Sequence, residues 1–181
     1  MSKPRDPCCR LVFVEDTYGV GFHRLLLEYI GGKGGLRGMP RVRRFPAKKC
    51  NPKIFNSIIG ATIGCRKWKV LVVIDQETHK TSEEAAEKDF LSHVKRHRNR
   101  FRVAVVQPRH EAWLCIGLGL GREKCREDPE SAIERLIDKP YEKRFLSKAG
   151  SLAGSRFDPA RLEKEKDFIR YVKALEWLAE C

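Results

Sequence analysis

Two apolar runs constrain this chain more than any other feature. Leu11-Val12-Phe13-Val14 ends in Glu15, and Val70-Leu71-Val72-Val73-Ile74 ends in Asp75-Gln76-Glu77. Both are short, rich in β-branched residues and free of polar ones, the pattern of strands covered on both faces in an α/β sheet. Acids at the carboxyl ends of such strands lie at the rim where ligands bind. They are also hard oxygen donors, the kind Mg²⁺ takes while it engages phosphates.

The remaining pattern alternates around these runs. Leu11–Val14 predicts the first strand. A helix follows from about Thr17 to Ile30, with Phe22, Leu25, Leu26, Tyr29 and Ile30 on its apolar side, and Gly31-Gly32-Lys33-Gly34-Gly35 ends it. Arg41–Phe45 reads as an edge strand closed by Pro46. Asn51-Pro52 opens a helix bearing Phe55, Ile58, Ile59 and Ile63, and Lys69–Ile74 is the third strand. Thr81-Ser82-Glu83-Glu84 is a capping box for the next helix, and Phe101–Val106 is the fourth strand. Beyond it lie a short helix at His110–Leu118 and another opened by Asp128-Pro129. A last helix is opened by Asp158-Pro159 and carries Leu162, Phe168, Ile169, Val172, Leu175 and Leu178.

This alternation implies a Rossmann-like, three-layer parallel sheet in residues 1–118, with a helical extension over 119–181 packed on or beside it. The expected strand order is 2-1-3-4. Strands one and three are then neighbours, and Glu15 and Asp75 flank the crevice where the winding reverses.

Charge narrows the partners. The 181 residues hold 37 Lys and Arg against 24 Asp and Glu, a net charge of +13, which favours nucleic acid, DNA or RNA. Two segments contain no acid. One carries Arg37, Arg41, Arg43, Arg44, Lys48 and Lys49; the other carries Lys95, Arg96, Arg98, Arg100, Arg102 and Arg109. Phosphates attract such runs through counterion release, and the two patches are expected to flank the acidic crevice, with one on the opposite rim if loop lengths dictate it. The plainer alternative is a solvated basic face.

No run is apolar enough to span a bilayer, and the start lacks the apolar stretch of a signal peptide, so the expectation is a cytoplasmic protein away from membranes. A cytosolic setting disfavours a disulfide framework for the seven cysteines, and no C-x-x-C pair suggests zinc. Buried thiols are the simpler expectation. Scarce Asn and Gln hint at a thermophile, whose cytosol does allow disulfides, so pairing stays open.

Glutamate after strand one and an acidic pair after strand three, in this order of elements, resemble the Toprim domain of topoisomerases, bacterial primases, OLD-type nucleases and small stand-alone relatives. The matching stretches are Leu11 to Thr17 running on to Leu26, and Val72-Val73-Ile74-Asp75-Gln76-Glu77. Pro108-Arg109-His110-Glu111-Ala112-Trp113-Leu114 resembles the E-x-W segment of the stand-alone relatives. The likeness covers residues 10 to 118. It implies that Glu15 is a general base or metal ligand and that Asp75 and Glu77 hold Mg²⁺ or Mn²⁺. The implied activity is a nuclease-like phosphodiesterase working by metal-activated water. Glu111 joins this cluster, and His110 beside it is a candidate proton shuttle.

Three positions depart from the family pattern. Asp16 stands where glycine is usual, Asp75-Gln76-Glu77 replaces Asp-x-Asp, and Tyr18-Gly19 occupies the place of a second acid. The competing expectation is therefore a non-catalytic nucleic-acid-binding or ribonucleoprotein component on a degenerate Toprim-like scaffold. In that case the strand-end acids serve only as helix caps.

Overall fold

The apolar runs become the interior of one sheet. In the computed structural model, which describes residues 8–15, 17–45, 58–76, 82–154 and 157–181, the strands are β1 (Cys8–Val14), β2 (Arg41–Arg44), β3 (Lys67–Asp75) and β4 (Phe101–Val106). All pairings are parallel and the order is β2-β1-β3-β4. The register aligns Val14 with Arg44 and Val73, and Asp75 with Val106, so the four carboxyl ends share one rim. The arrangement is an α/β, Rossmann-like fold.

Strand residues alternate between two buried layers, which is why neither run tolerates a polar side chain. Val12, Val14, Val42, Leu71, Val73, Ala104 and Val106 pack in one layer with helices α1 (Thr17–Gly32), α3 (His110–Gly117) and α7 (Lys166–Ala179). Leu11, Phe13, Val70, Val72, Ile74 and Val105 pack in the other with Ile58 of a helical stretch at 58–62 and Ala86 and Phe90 of α2 (Glu83–His93). Ser82, one residue later than expected, caps α2 by accepting the Ala85 N–H at 3.2 Å.

Residues beyond 118 finish the first layer. Cys125 of α4 (Arg122–Glu127), Ile133 of α5 (Pro129–Ile137) and Leu146 of α6 (Arg144–Ser147) share the cluster of Val12 and Leu71. Helix α6 lies close on α1 because position 21 is glycine. A Cβ there would stand 2.9 Å from Ser147 Cβ.

Two expectations change. The last helix is two elements, not one. Asp158 caps a single 3-10 turn at Pro159–Leu162, and α7 starts afresh after Glu165. Glu165 adopts extended backbone (φ −81°, ψ 128°) while its carboxylate is taken by Arg122 at 2.7 Å and Arg126 at 2.6 Å, so tertiary ion pairs divide the helix.

The six described cysteines are paired rather than free: Cys8 with Cys181, Cys9 with Cys65 and Cys115 with Cys125, with Cα–Cα separations of 5.9, 5.8 and 5.5 Å. Adjacent strand residues point to opposite faces. Cys8 therefore meets the chain leaving α7 on one face, and Cys9 meets the turn after the 58–62 helix on the other. No described helix is long and apolar enough to cross a membrane. Expectations at Asp16, Lys48, Lys49, Cys50, Asn51-Pro52, Glu77 and Thr81 lie outside the described residues.

Candidate active site

Because β1 and β3 are neighbours, their terminal acids meet. Glu15 follows β1, and its Oε2 accepts the backbone N–H of Asp75 at 2.8 Å. Asp75 Oδ1 accepts the backbone N–H of His110 at 3.0 Å and lies 2.5 Å from His110 Nδ1. Asp75 Oδ2 has no hydrogen bond to a described residue, and the side chain is 18% exposed. The first turn of α3 thus stands on one side of Asp75, with Glu15 on the other.

Behind Asp75 a line of polar groups enters the core. His110 Nε2 is 2.8 Å from His23 Nε2, and His23 Nδ1 is 2.8 Å from the Tyr171 hydroxyl. His110 is 3% exposed; His23 and Tyr171 are fully buried. Burial, and then the nearby His110, hold His23 well below its ordinary 6.5, so it is neutral. Burial also pushes the Tyr171 hydroxyl up, keeping it protonated.

Glu111, the next residue of α3, is 4% exposed and accepts the Tyr141 O–H at 3.1 Å. Burial first and Asp75 second raise its carboxyl above the ordinary range, which favours the proton-carrying form. The structure therefore sets Asp75 against His110 and within electrostatic reach of Glu111, with the Glu15 carboxylate on the Asp75 backbone N–H.

A second network fixes the chain just before α3. Asp167 Oδ2 accepts the Gln107 N–H at 2.9 Å and the Trp113 indole N–H at 2.8 Å. Arg126 NH2 lies 3.1 Å from Asp167 Oδ1, and Arg126 NH1 donates to the Gln107 carbonyl. Trp113 is buried, edge-to-face with Phe168 at 5.2 Å, so it packs beneath the crevice.

The basic segments separate, contrary to the expectation that both flank the crevice. Arg41, Arg43 and Arg44 are exposed on edge strand β2, and Arg44 NH1 donates to Thr17 Oγ1 at 3.0 Å, near Glu15. Lys95, Arg96, Arg98 and Arg100 form the 3-10 turn that precedes β4, and Arg102 is its second residue. In a parallel sheet whatever precedes a strand sits at the amino rim, and the register of Phe101 with Val70 puts this patch roughly 17 Å from Asp75. Arg100 lies over the Trp68 ring and Arg102 over Trp177, at 4.8 and 5.1 Å from the ring centroids. Arg37, before β2, is exposed, and its carbonyl accepts from Arg10. Of the second segment only Arg109 reaches the acidic rim, 3.5 Å from Glu130.

His23, Tyr171, Tyr141, Arg126 and Asp167 have no motif spacing to announce them. The readable signal was polar residues on apolar helix faces: His23 beside Phe22 and Leu26, and Asp167 beside Phe168. Among the described residues no three His, Cys, Asp or Glu side chains cluster as a metal-binding group. No family model, curated protein or solved structure matches the chain.

Proposed function

We propose that this chain is a Mg²⁺- or Mn²⁺-dependent phosphodiesterase acting on nucleic acid, with Glu15 and Asp75 as the central acids. The observation that carries the reading is their meeting at the switch point of a parallel sheet, Glu15 Oε2 on the Asp75 N–H at 2.8 Å, in a chain of net charge +13. The donor set suits Mg²⁺, which keeps several waters and needs only one or two carboxylates from the protein. Glu15 and Asp75 would hold the ion, with Glu77 as the third acid of the reading. Once bound, it supplies phosphate charge neutralisation and a more acidic water.

The chain's own groups have separate tasks. Asp75 Oδ1 is held by the first residue of α3, so Oδ2 is the oxygen left for a ligand. Glu111, its carboxyl raised by burial, is the candidate acid for a leaving oxygen. Arg41, Arg43 and Arg44 line the edge beside Glu15 and can hold the polyanion backbone. The Toprim likeness and a cytoplasmic location belong to the same reading; three disulfides accord with a thermophile's cytosol.

A second reading, non-catalytic nucleic-acid binding, is favoured by one observation. The Lys95–Arg102 patch lies on the rim opposite the acids, where it cannot feed the crevice directly. Single- and double-stranded DNA and RNA incubated with the protein in Mg²⁺, Mn²⁺ or EDTA separate the two. Cleavage that EDTA abolishes supports the phosphodiesterase; tight, metal-independent binding without cleavage supports the alternative.

A further inference from the structure

The line Asp75–His110–His23–Tyr171 contains two imidazoles facing each other through Nε2 at 2.8 Å, both away from water. Two bare nitrogens at that distance would repel, and two N–H groups would clash, so one proton lies between them. The same argument applies at each end. His110 Nδ1 stands 2.5 Å from the Asp75 carboxylate oxygen, and the negative charge there favours a proton on that nitrogen. A neutral imidazole has one N–H, which leaves His110 Nε2 as an acceptor. His23 must then donate from Nε2, leaving its Nδ1 to accept the Tyr171 O–H at 2.8 Å. With neutral rings and ionised Asp75 the line runs one way, Tyr171 to His23 to His110 to Asp75, whereas a cationic His110 would donate from Nε2 and reverse the two inner bonds.

We propose that His23 is a positioning residue: its Nε2–H, backed by Tyr171, holds His110 in the tautomer with its proton on Nδ1, facing Asp75, so that Asp75 Oδ1 is anchored and Oδ2 is kept for a ligand. His23 touches neither Asp75 nor any group in the crevice; it acts through His110, as the partners behind a metal site's ligands do. Helices α1 and α7 thereby set the geometry of an acid on β3. The tautomers follow from these contacts with both rings neutral. The role of Oδ2 rests on the phosphodiesterase reading above.

The test is ¹⁵N NMR of the histidine rings, alongside cleavage kinetics. Wild type should show His110 protonated at Nδ1 and bare at Nε2, with His23 the reverse. His23→Leu removes the donor and should leave the His110 signals averaged or broadened. His23→Gln, whose amide can donate to His110 Nε2, should restore them. Tyr171→Phe, the mildest change should His23→Leu fail to fold, should move the His23 Nδ1 signal to that of an unbonded nitrogen. On the phosphodiesterase reading, His23→Leu loses 10- to 100-fold in kcat at little change in KM, and His23→Gln recovers most of it. His110 protonated at Nε2 in wild type, an unchanged His110 pattern in His23→Leu, or an unmoved His23 signal in Tyr171→Phe would each overturn the proposal. The assigned tautomers with no cleavage in any preparation would fault the phosphodiesterase and leave the positioning role standing.

Discussion

Asp167→Ala should be among the most damaging single changes in this protein. The carboxylate is 3% exposed and serves three donors: the Gln107 N–H, the Trp113 indole N–H and the Arg126 guanidinium. Removing it strands the buried Trp113 indole N–H and the part-buried Gln107 N–H, at about 1–3 kcal/mol each. Arg126 adds less, since its side chain is 28% exposed and keeps Glu165 at 2.6 Å. The sum is about 3–6 kcal/mol, a large share of the 5–15 kcal/mol by which domains are typically stable. For a chain of this size that corresponds to a Tm lower by roughly 10–20 °C. Asp167→Asn keeps the shape and one acceptor oxygen, so it should cost about half as much. Urea unfolding followed by tryptophan fluorescence, with disulfides intact, measures both. A loss under about 1 kcal/mol in Asp167→Ala would mean that water or neighbours satisfy those donors and that Asp167 is not what holds them.

The buried His23 makes stability depend on pH. Its folded pKa lies below the ordinary 6.5, so the unfolded chain binds more protons between those values, and stability falls as pH drops below 6.5 by up to about 1.4 kcal/mol per unit. Denaturant titrations from pH 7.5 to 5 should show this slope in wild type and a shallower one in His23→Gln. Among the disulfides, Cys8–Cys181 spans 173 residues and Cys115–Cys125 only 10. Loop-closure entropy predicts that the paired serine variants lose about 5 and about 3 kcal/mol respectively, and the reverse order in urea unfolding would count against it. Arg41→Ala, Arg43→Ala and Arg44→Ala together should weaken nucleic-acid binding and flatten its salt dependence by about 0.7–0.9 per lost phosphate contact. The corresponding change at Lys95, Arg96 and Arg98 should spare cleavage. If it abolishes binding instead, the amino rim is the nucleic-acid surface.

What was legible in the sequence follows from burial. β1, β3 and β4 stood out because strands covered on both sides exclude polar residues, and Val12, Leu71 and Val73 are each fully buried. The meeting of Glu15 with Asp75 followed from strand order alone. The line through His23 to Tyr171 was not legible, because it joins residues 148 apart and no local spacing encodes it. The disulfides escaped for the same reason: Cys8 and Cys9 find different partners only because adjacent strand residues face opposite layers. The break before α7 depended on Arg122 and Arg126 reaching Glu165. Placing both basic segments at one rim went wrong where chain direction mattered more than composition, since Lys95 to Arg100 enter β4 rather than leave it.

The central claim is that Glu15 and Asp75 form a working acid pair. It is tested most directly by single-turnover cleavage of an end-labelled oligonucleotide with Mg²⁺ by wild type, Glu15→Gln and Asp75→Asn. Each substitution keeps size and removes charge, and far-UV circular dichroism checks that the fold persists. Wild type should cleave in an EDTA-sensitive way, and both variants should fall by at least about 100-fold with nucleic-acid affinity retained. Equal cleavage by all three proteins would contradict that claim.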